Sequence, residues 1–272
     1  MERFTYKGQD LDVREIIGLL KRQVEIAPPV WAQIKANRQS LEDLLSNSEK
    51  SFYGINTGFG TLYNIKIDEA DINTLQTNLL RSHACGVGPA SPSIIVRIML
   101  LLKIISLAKA SSGVREEIIQ LLLDLFNHDL TPVVPSIGSL GASGDLAPLS
   151  HLCLPLIGEG EVVYKREQQP AAKALALAGL DTLKLEAKEG LALINGTQYS
   201  LALLAYAVDH AMRIAEAVDM CAAMSIEAFN ANTSFLDQDI HALRRQSGQF
   251  HSATMIRHWI ESSGRTNDGQ HL

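Results

Sequence analysis

From Gln198 to about Phe229 the chain follows one continuous helical pattern rich in Ala, Leu and Met, and this run limits the folds open to it. At 1.5 Å per residue it makes a rod of roughly 45 Å, longer than one small domain needs. Its charges are sparse (Asp209, Arg213, Glu216, Asp219), so apolar side chains cover much of its circumference. A helix of that kind needs neighbours on several sides. The expectation is one member of a large helical bundle, shared between subunits.

Most of the remaining sequence has the same period. Helical spacing of Leu and Ile runs from Leu11 to Gln23, and Pro28-Pro29 ends it before a second stretch, Val30 to Leu45. Asp71 to Arg81, Pro92 to Ala110 and Val114 to Asn127 read as further helices, the last two buried, and another begins at Asp145. A short extended region around Glu161 to Tyr164 reads as a hairpin strand pair. The predicted class is mainly α, with a loop-rich N-terminal domain and the start of a long-helix central bundle.

Bulk properties exclude several functions. A net charge of −6 argues against a general nucleic-acid binder. Cys85, Cys153 and Cys221 lie far apart, which excludes a Cys-x-x-Cys zinc pattern and fits a reducing cytosol. The N-terminus has no apolar signal core. The most apolar run, Ile94 to Ala108, is interrupted by Arg97 and Lys103 and is too short for a membrane span. A soluble, cytoplasmic protein without membrane or nucleic-acid partners is expected. No phosphate loop is present. Gly-Ala-Ser-Gly is one residue short of a nucleophile elbow. His128, His151, His210, His241, His251, His258 and His271 show no paired metal spacing, and most read as surface or capping groups. No metal is expected.

Four polar or glycine-rich loops interrupt the apolar helices. Tyr53 heads Tyr53-Gly54-Ile55-Asn56-Thr57-Gly58-Phe59-Gly60, where its phenol packs beneath the loop or, with a depressed pKa, acts as a base. His83 sits among small residues before Gly86-Val87-Gly88, as a helix-end histidine or a ligand group. Asn195-Gly196 is a turn dipeptide whose carboxamide can also hold a carbonyl or an amine. The fourth loop holds Ala142-Ser143-Gly144-Asp145. If the Gly144 amide nitrogen attacks the Ala142 carbonyl carbon, a five-membered ring closes. Loss of two waters, one from the Ser143 side chain, then leaves a methylidene imidazolone, an electrophile that no unmodified side chain matches. Glycine offers the least hindered nitrogen. In the plainer reading Asp145 is an N-cap, with Pro148 in the first turn of its helix. Cap and ring can coexist.

Together the blocks Tyr53 to Gly60, Leu79 to Gly88, Gly138 to His151 and Lys188 to Gln198 resemble the aromatic amino acid ammonia-lyase family, in the family's order. The resemblance implies a 4-methylidene-imidazol-5-one made autocatalytically from Ala142, Ser143 and Gly144, and a homotetramer whose sites are assembled from several chains. It makes the carbon derived from Ser143 the acceptor of the substrate amine and Tyr53 the base that removes a β-proton. Asn195 would orient the ring or the substrate, with Asp145 and Gly60 in support. Ser82-His83 is similar to the pair in histidine-selective members, and so is Gln198 after Asn195-Gly196-Thr197. His83 and Gln198 would then line a polar pocket suited to an imidazole, whose ring nitrogens a phenyl pocket would leave unpaired.

The implied reaction is L-histidine to urocanate and ammonia. A phenylalanine or tyrosine lyase, or an aminomutase, is the alternative within the family; a catalytically silent helical assembly protein is the alternative outside it. Family members are roughly double this length, and a Gln-Asp-x-Tyr-Ser-x-Arg block expected near the end is absent. The sequence therefore reads as the N-terminal portion, inactive alone. Residues 1–198 would form the domain carrying the prosthetic-group loop, 199–262 the beginning of the central bundle, and 263–272 a polar tail.

Overall fold

A computed structural model describes residues 2–47, 50, 52, 54–55, 57, 67–68, 71–140 and 144–265. Two compact units divide at Tyr206/Ala207.

The first unit is built around two apolar helices, α4 (Ser93–Ala108) and α5 (Glu116–Asn127). On α4 the residues Ile95, Val96, Ile98, Met99, Leu100, Leu101 and Ile104 are all buried, covering nearly its whole circumference. At about 1.5–3 kcal/mol for each fully buried large aliphatic side chain, such positions are the main source of stability. Helices α4 and α5 share one hydrophobic core with α1 (Val13–Leu19), α2 (Pro28–Ser46), α3 (Ile72–His83), α6 (Leu146–Cys153), α7 (Ala171–Ala178) and α8 (Glu189–Ile194). The class is mainly α, as expected. Pro28 and Pro29 do not lie between helices; they fill the first turn of α2, where a missing N–H leaves no bond unmade.

Short strands occur where helical spacing had been extended or loop assigned. Helix α1 stops at Leu19, and Gln23 belongs to β2 (Gln23–Ile26), paired in parallel with β1 (Arg3–Tyr6). The loops predicted after His83 and before Gly144 contain β3 (Val87–Ala90), β4 (Thr131–Pro132) and β5 (Pro135–Ile137). Strands β3 and β5 pair antiparallel, Val87 opposite Ile137. The hairpin at Glu161 is β6 (Glu161–Tyr164) with β7 (Glu167–Pro170), and β4 joins its edge.

The long helix is α9 (Gln198–Ala228), within a residue of its sequence limits. Its first turns bury Tyr199, Ala202 and Ala205 in the first unit while Leu201, Leu203 and Leu204 are exposed. Beyond Tyr206 it buries Asp209, Asp219 and Ala223 and exposes Met212, Ile214, Val218, Met220 and Met224. Large apolar side chains exposed and small or acidic ones buried reverse the pattern of a solvated helix. The second unit adds α10 (Gln238–Arg244) and α11 (Ser247–Ile260), with a small core of Ala223, Leu236, Ala253 and Ile260.

By length and composition alone, Glu189–Ala228 is apolar enough to cross a membrane. The Asp209–Arg213 ion pair (2.8 Å) lies within that stretch.

Candidate active site

Asp145 organises the described part of the Ala-Ser-Gly loop. It occupies the N-cap position of α6, but its side chain makes no capping bond there. The carboxylate instead accepts from Ser139 Oγ (2.6 Å), Ser200 N (2.8 Å) and Ser200 Oγ (2.8 Å), and the residue is 1% exposed. Ser200 lies in the first turn of α9, whose leading N–H groups have no partner inside the helix. The expected local cap is thus a long-range one: Asp145 caps the helix that starts 53 residues later, at Gln198 (198 − 145). A carboxylate at a helix N-terminus is also favoured by the helix dipole.

Gly144 is held in place by this arrangement. Asp145 N–H donates to Gly196 O (2.7 Å). A Cβ on Gly144, whose φ is +109°, would stand 2.5 Å from that same oxygen. Leu140 and Gly144 form an isolated antiparallel bridge, which brings together the two ends of the stretch 141–143. Ala142 and Ser143 lie outside the described residues, as do Tyr53 and Gly60. The flanks suit ring closure: the two ends are drawn together and Gly144 fills a space that only glycine fits.

Asn195 is the C-cap of α8 and is exposed. Gly196 follows with φ +146°, in a conformation that favours glycine, and a Cβ there would overlap the Gln198 carboxamide. Gln198 Oε1 is buried without a donor among the described residues. His83 ends α3, with Nδ1 2.9 Å from Leu79 O and 3.1 Å from Ser82 Oγ. A carbonyl can only accept, so Nδ1 carries a proton, and in the neutral ring Nε2 is then the acceptor.

The contacts draw these loops together. Pairing of β3 with β5 sets the His83 loop beside the Ala-Ser-Gly loop, where a Cβ on Gly138 would lie 3.0 Å from Gly86 Cα. Gln76 is fully buried; its Nε2 donates to Gly54 O (3.3 Å) and its Oε1 accepts from Leu191 N–H (3.2 Å). It therefore joins the residue after Tyr53 to the helix that carries Asn195. Gly190 permits the approach, since a Cβ there would sit 2.5 Å from Gln76 O.

Four positioning groups had no assigned role in the sequence. Gln76 is one. Glu189, with no exposed surface, accepts from Arg115 Nε and Nη2 (2.9 Å each) and from Glu186 N–H (2.7 Å). Lys103, read only as an interruption of an apolar run, donates from Nζ to Ala192 O (2.7 Å) and Asn195 O (3.1 Å); burial pulls its pKa down to about 8. That stray charge was the sequence's one signal for it.

His151, placed among surface or capping histidines, is half-buried, and its Nε2 accepts from Gly86 N–H (3.1 Å). Burial holds its pKa below the ordinary 6.5. Between the folded value and 6.5 the unfolded chain binds a proton that the fold refuses. The stability this residue supports is therefore complete above about pH 6.5 and lost as pH falls through the folded value, by at most about 1.4 kcal/mol per pH unit. Urea midpoints between pH 7 and pH 5 should fall less steeply for His151→Gln than for the parent chain. Equal slopes would remove the buried histidine from the account.

Comparison with known proteins adds to this geometry. The model of the family described as aromatic amino acid lyase matches residues 11–271. The chain is 44% identical to histidine ammonia-lyase of Stigmatella aurantiaca over 263 residues, 96% of this chain and 51% of that protein. Histidine ammonia-lyase from Trypanosoma cruzi superposes with a TM-score of 0.84 at 37% identity, over 94% of this chain and 50% of that one. Tyrosine aminomutase from Streptomyces globisporus does so at 0.88 and 33%, over 97% and 50%. The chain spans about half the length of the curated relatives it matches. With the family match running across all four loops, this chain belongs to the aromatic amino acid lyase family.

Proposed function

We propose that this chain is the part of a histidine ammonia-lyase that makes the electrophile and receives the imidazole, the whole enzyme converting L-histidine to urocanate and ammonia. The observation that carries the reading is the buried Gln198 Oε1 beside Gly196, which has no donor among the described residues. An acceptor taken from water without a donor costs stability, so its persistence at a candidate site points to a ligand N–H. The His83 Nε2 acceptor suits the same ring, and a phenyl substrate would satisfy neither.

The imidazolone from Ala142, Ser143 and Gly144, once formed, supplies an electrophilic carbon for the substrate amine. This chain's own residues do the rest. Asn195 orients the amine or the ring through its carboxamide. Tyr53 takes a β-proton on its phenolate oxygen. Asp145 holds Gly144 against Gly196 and ties the loop to α9. Gly60 supports the Tyr53 loop. The enzyme is proposed to be a cytoplasmic homotetramer, with the outward apolar face of α9 covered by further protein.

Intact mass tests the electrophile: ring formation removes two waters, a deficit of about 36 Da. Substrate choice is tested by supplying the half of a relative that this chain does not span and following product absorbance with histidine, phenylalanine and tyrosine. Histidine is expected to be turned over at least about 100-fold faster than either competitor. Faster phenylalanine or tyrosine turnover, or formation of a β-amino acid, would replace this reading with the lyase or aminomutase alternative. The 272-residue chain alone is expected to form little urocanate.

A further inference from the structure

Lys103 is 1% exposed in the middle of the most apolar helix of the chain, and no carboxylate pairs with it among the described residues. A buried ammonium is tolerated only where acceptors replace its water. Here the acceptors are two backbone carbonyls, Ala192 O and Asn195 O, at the C-terminal end of α8. Helix-end carbonyls lack intrahelical donors and carry the negative end of the helix dipole, so a cation is well placed there.

The second carbonyl belongs to a candidate catalytic residue. Asn195 is exposed, yet its carbonyl is fixed from inside the core. That bond sets the plane of the Asn195–Gly196 peptide. Gly196 passes the constraint on, because its own carbonyl accepts the Asp145 N–H beside Gly144.

We infer that Lys103 is a positioning residue, which holds the Asn195–Gly196 peptide from within the core and, through Gly196, steadies the amide next to Gly144. Its purpose rests on the reaction proposed above. The contact itself does not.

Amide hydrogen exchange on the 272-residue chain, read peptide by peptide, tests this. Lys103→Met keeps the alkyl stem and removes the donors. Exchange in residues 192–198 and at the Asp145 amide is expected to rise at least about tenfold, while α5 stays within about twofold. Lys103→Arg, which restores a buried donor, should hold the rise below about threefold. No local rise with Met, a uniform rise across the chain, loss of the cooperative unfolding transition, or an Arg variant as unprotected as Met would each overturn the inference. Exchange reads neither ring formation nor turnover. Its failure leaves the proposed reaction standing, and absence of histidine turnover leaves the role of Lys103 standing.

Discussion

Gly144→Ala is expected to slow the appearance of the mass deficit by roughly 100-fold and to lower stability. The backbone here has φ +109°, and a Cβ would lie 2.5 Å from Gly196 O, 3.3 Å from Gly196 C and 3.4 Å from Gly196 N. Strain at such a conformation costs about 1–3 kcal/mol for a non-glycine residue. The overlap is with backbone, not with the end of a flexible side chain, so the neighbour cannot swing away. Retreat of Gly196 would break its bond to the Asp145 amide (2.7 Å). A combined cost of about 3 kcal/mol in the compact loop slows closure by roughly 100-fold. Time-resolved intact mass and thermal unfolding check it: closure at the parent rate, with an unchanged melting temperature, would show that the loop is not compressed by Gly196.

Glu189→Gln should be the most destabilising of the conservative substitutions. The parent carboxylate accepts three bonds from Arg115, one of them from its backbone N–H (3.1 Å), and lies 3.9 Å from Arg38 Nη1. Arg38 is itself 8% exposed and also donates to Gly113 O, Ala187 O and Glu186. The neutral amide presents donors to donors and leaves two largely buried cations short of charge. Breaking a buried pair from one side costs about 3–5 kcal/mol. At about 2–4 °C per kcal/mol for a chain of this size, the melting temperature should fall by on the order of 10 °C. Removing both sides with Glu189→Gln and Arg115→Met should recover part of that loss, since the cost lies in the unpaired partner. A fall of less than about 2 °C in the single variant would mean that water reaches Glu189 after all.

The helical layout was legible because its signals are long. Helices α4, α5 and α9 carry an apolar period over many turns, and their limits in the structure follow the sequence within two residues. Strands of two to four residues carry no comparable signal, and β1–β5 were read as helix ends or loops or passed over. The four loops could be named from their turn residues and chemistry. How they are joined could not, because three of the joints are single side chains reaching distant backbone groups. Asp145 meets Ser200, Gln76 meets Leu191 and Lys103 meets Asn195 across 55, 115 and 92 residues. Asp145 shows the limit most clearly. Locally it is a good cap for α6, and the tertiary structure spends that carboxylate on α9 instead.

That long-range cap also has a consequence in time. Gly144 is pressed into place only when Gly196 arrives and Ser200 binds Asp145, 55 residues further along. At about 5–20 residues per second, a ribosome needs roughly 3–11 s to make that intervening stretch. Until then only local contacts, the Leu140–Gly144 bridge and the Ser139–Asp145 bond, act on the loop among the described residues. If the proposed ring forms from this loop, its closure would follow folding, and a nascent chain would not carry an exposed electrophile. The corollary is diagnostic: a folding defect between Asp145 and Ser200 would surface as a chain of correct sequence whose mass is about 36 Da too high.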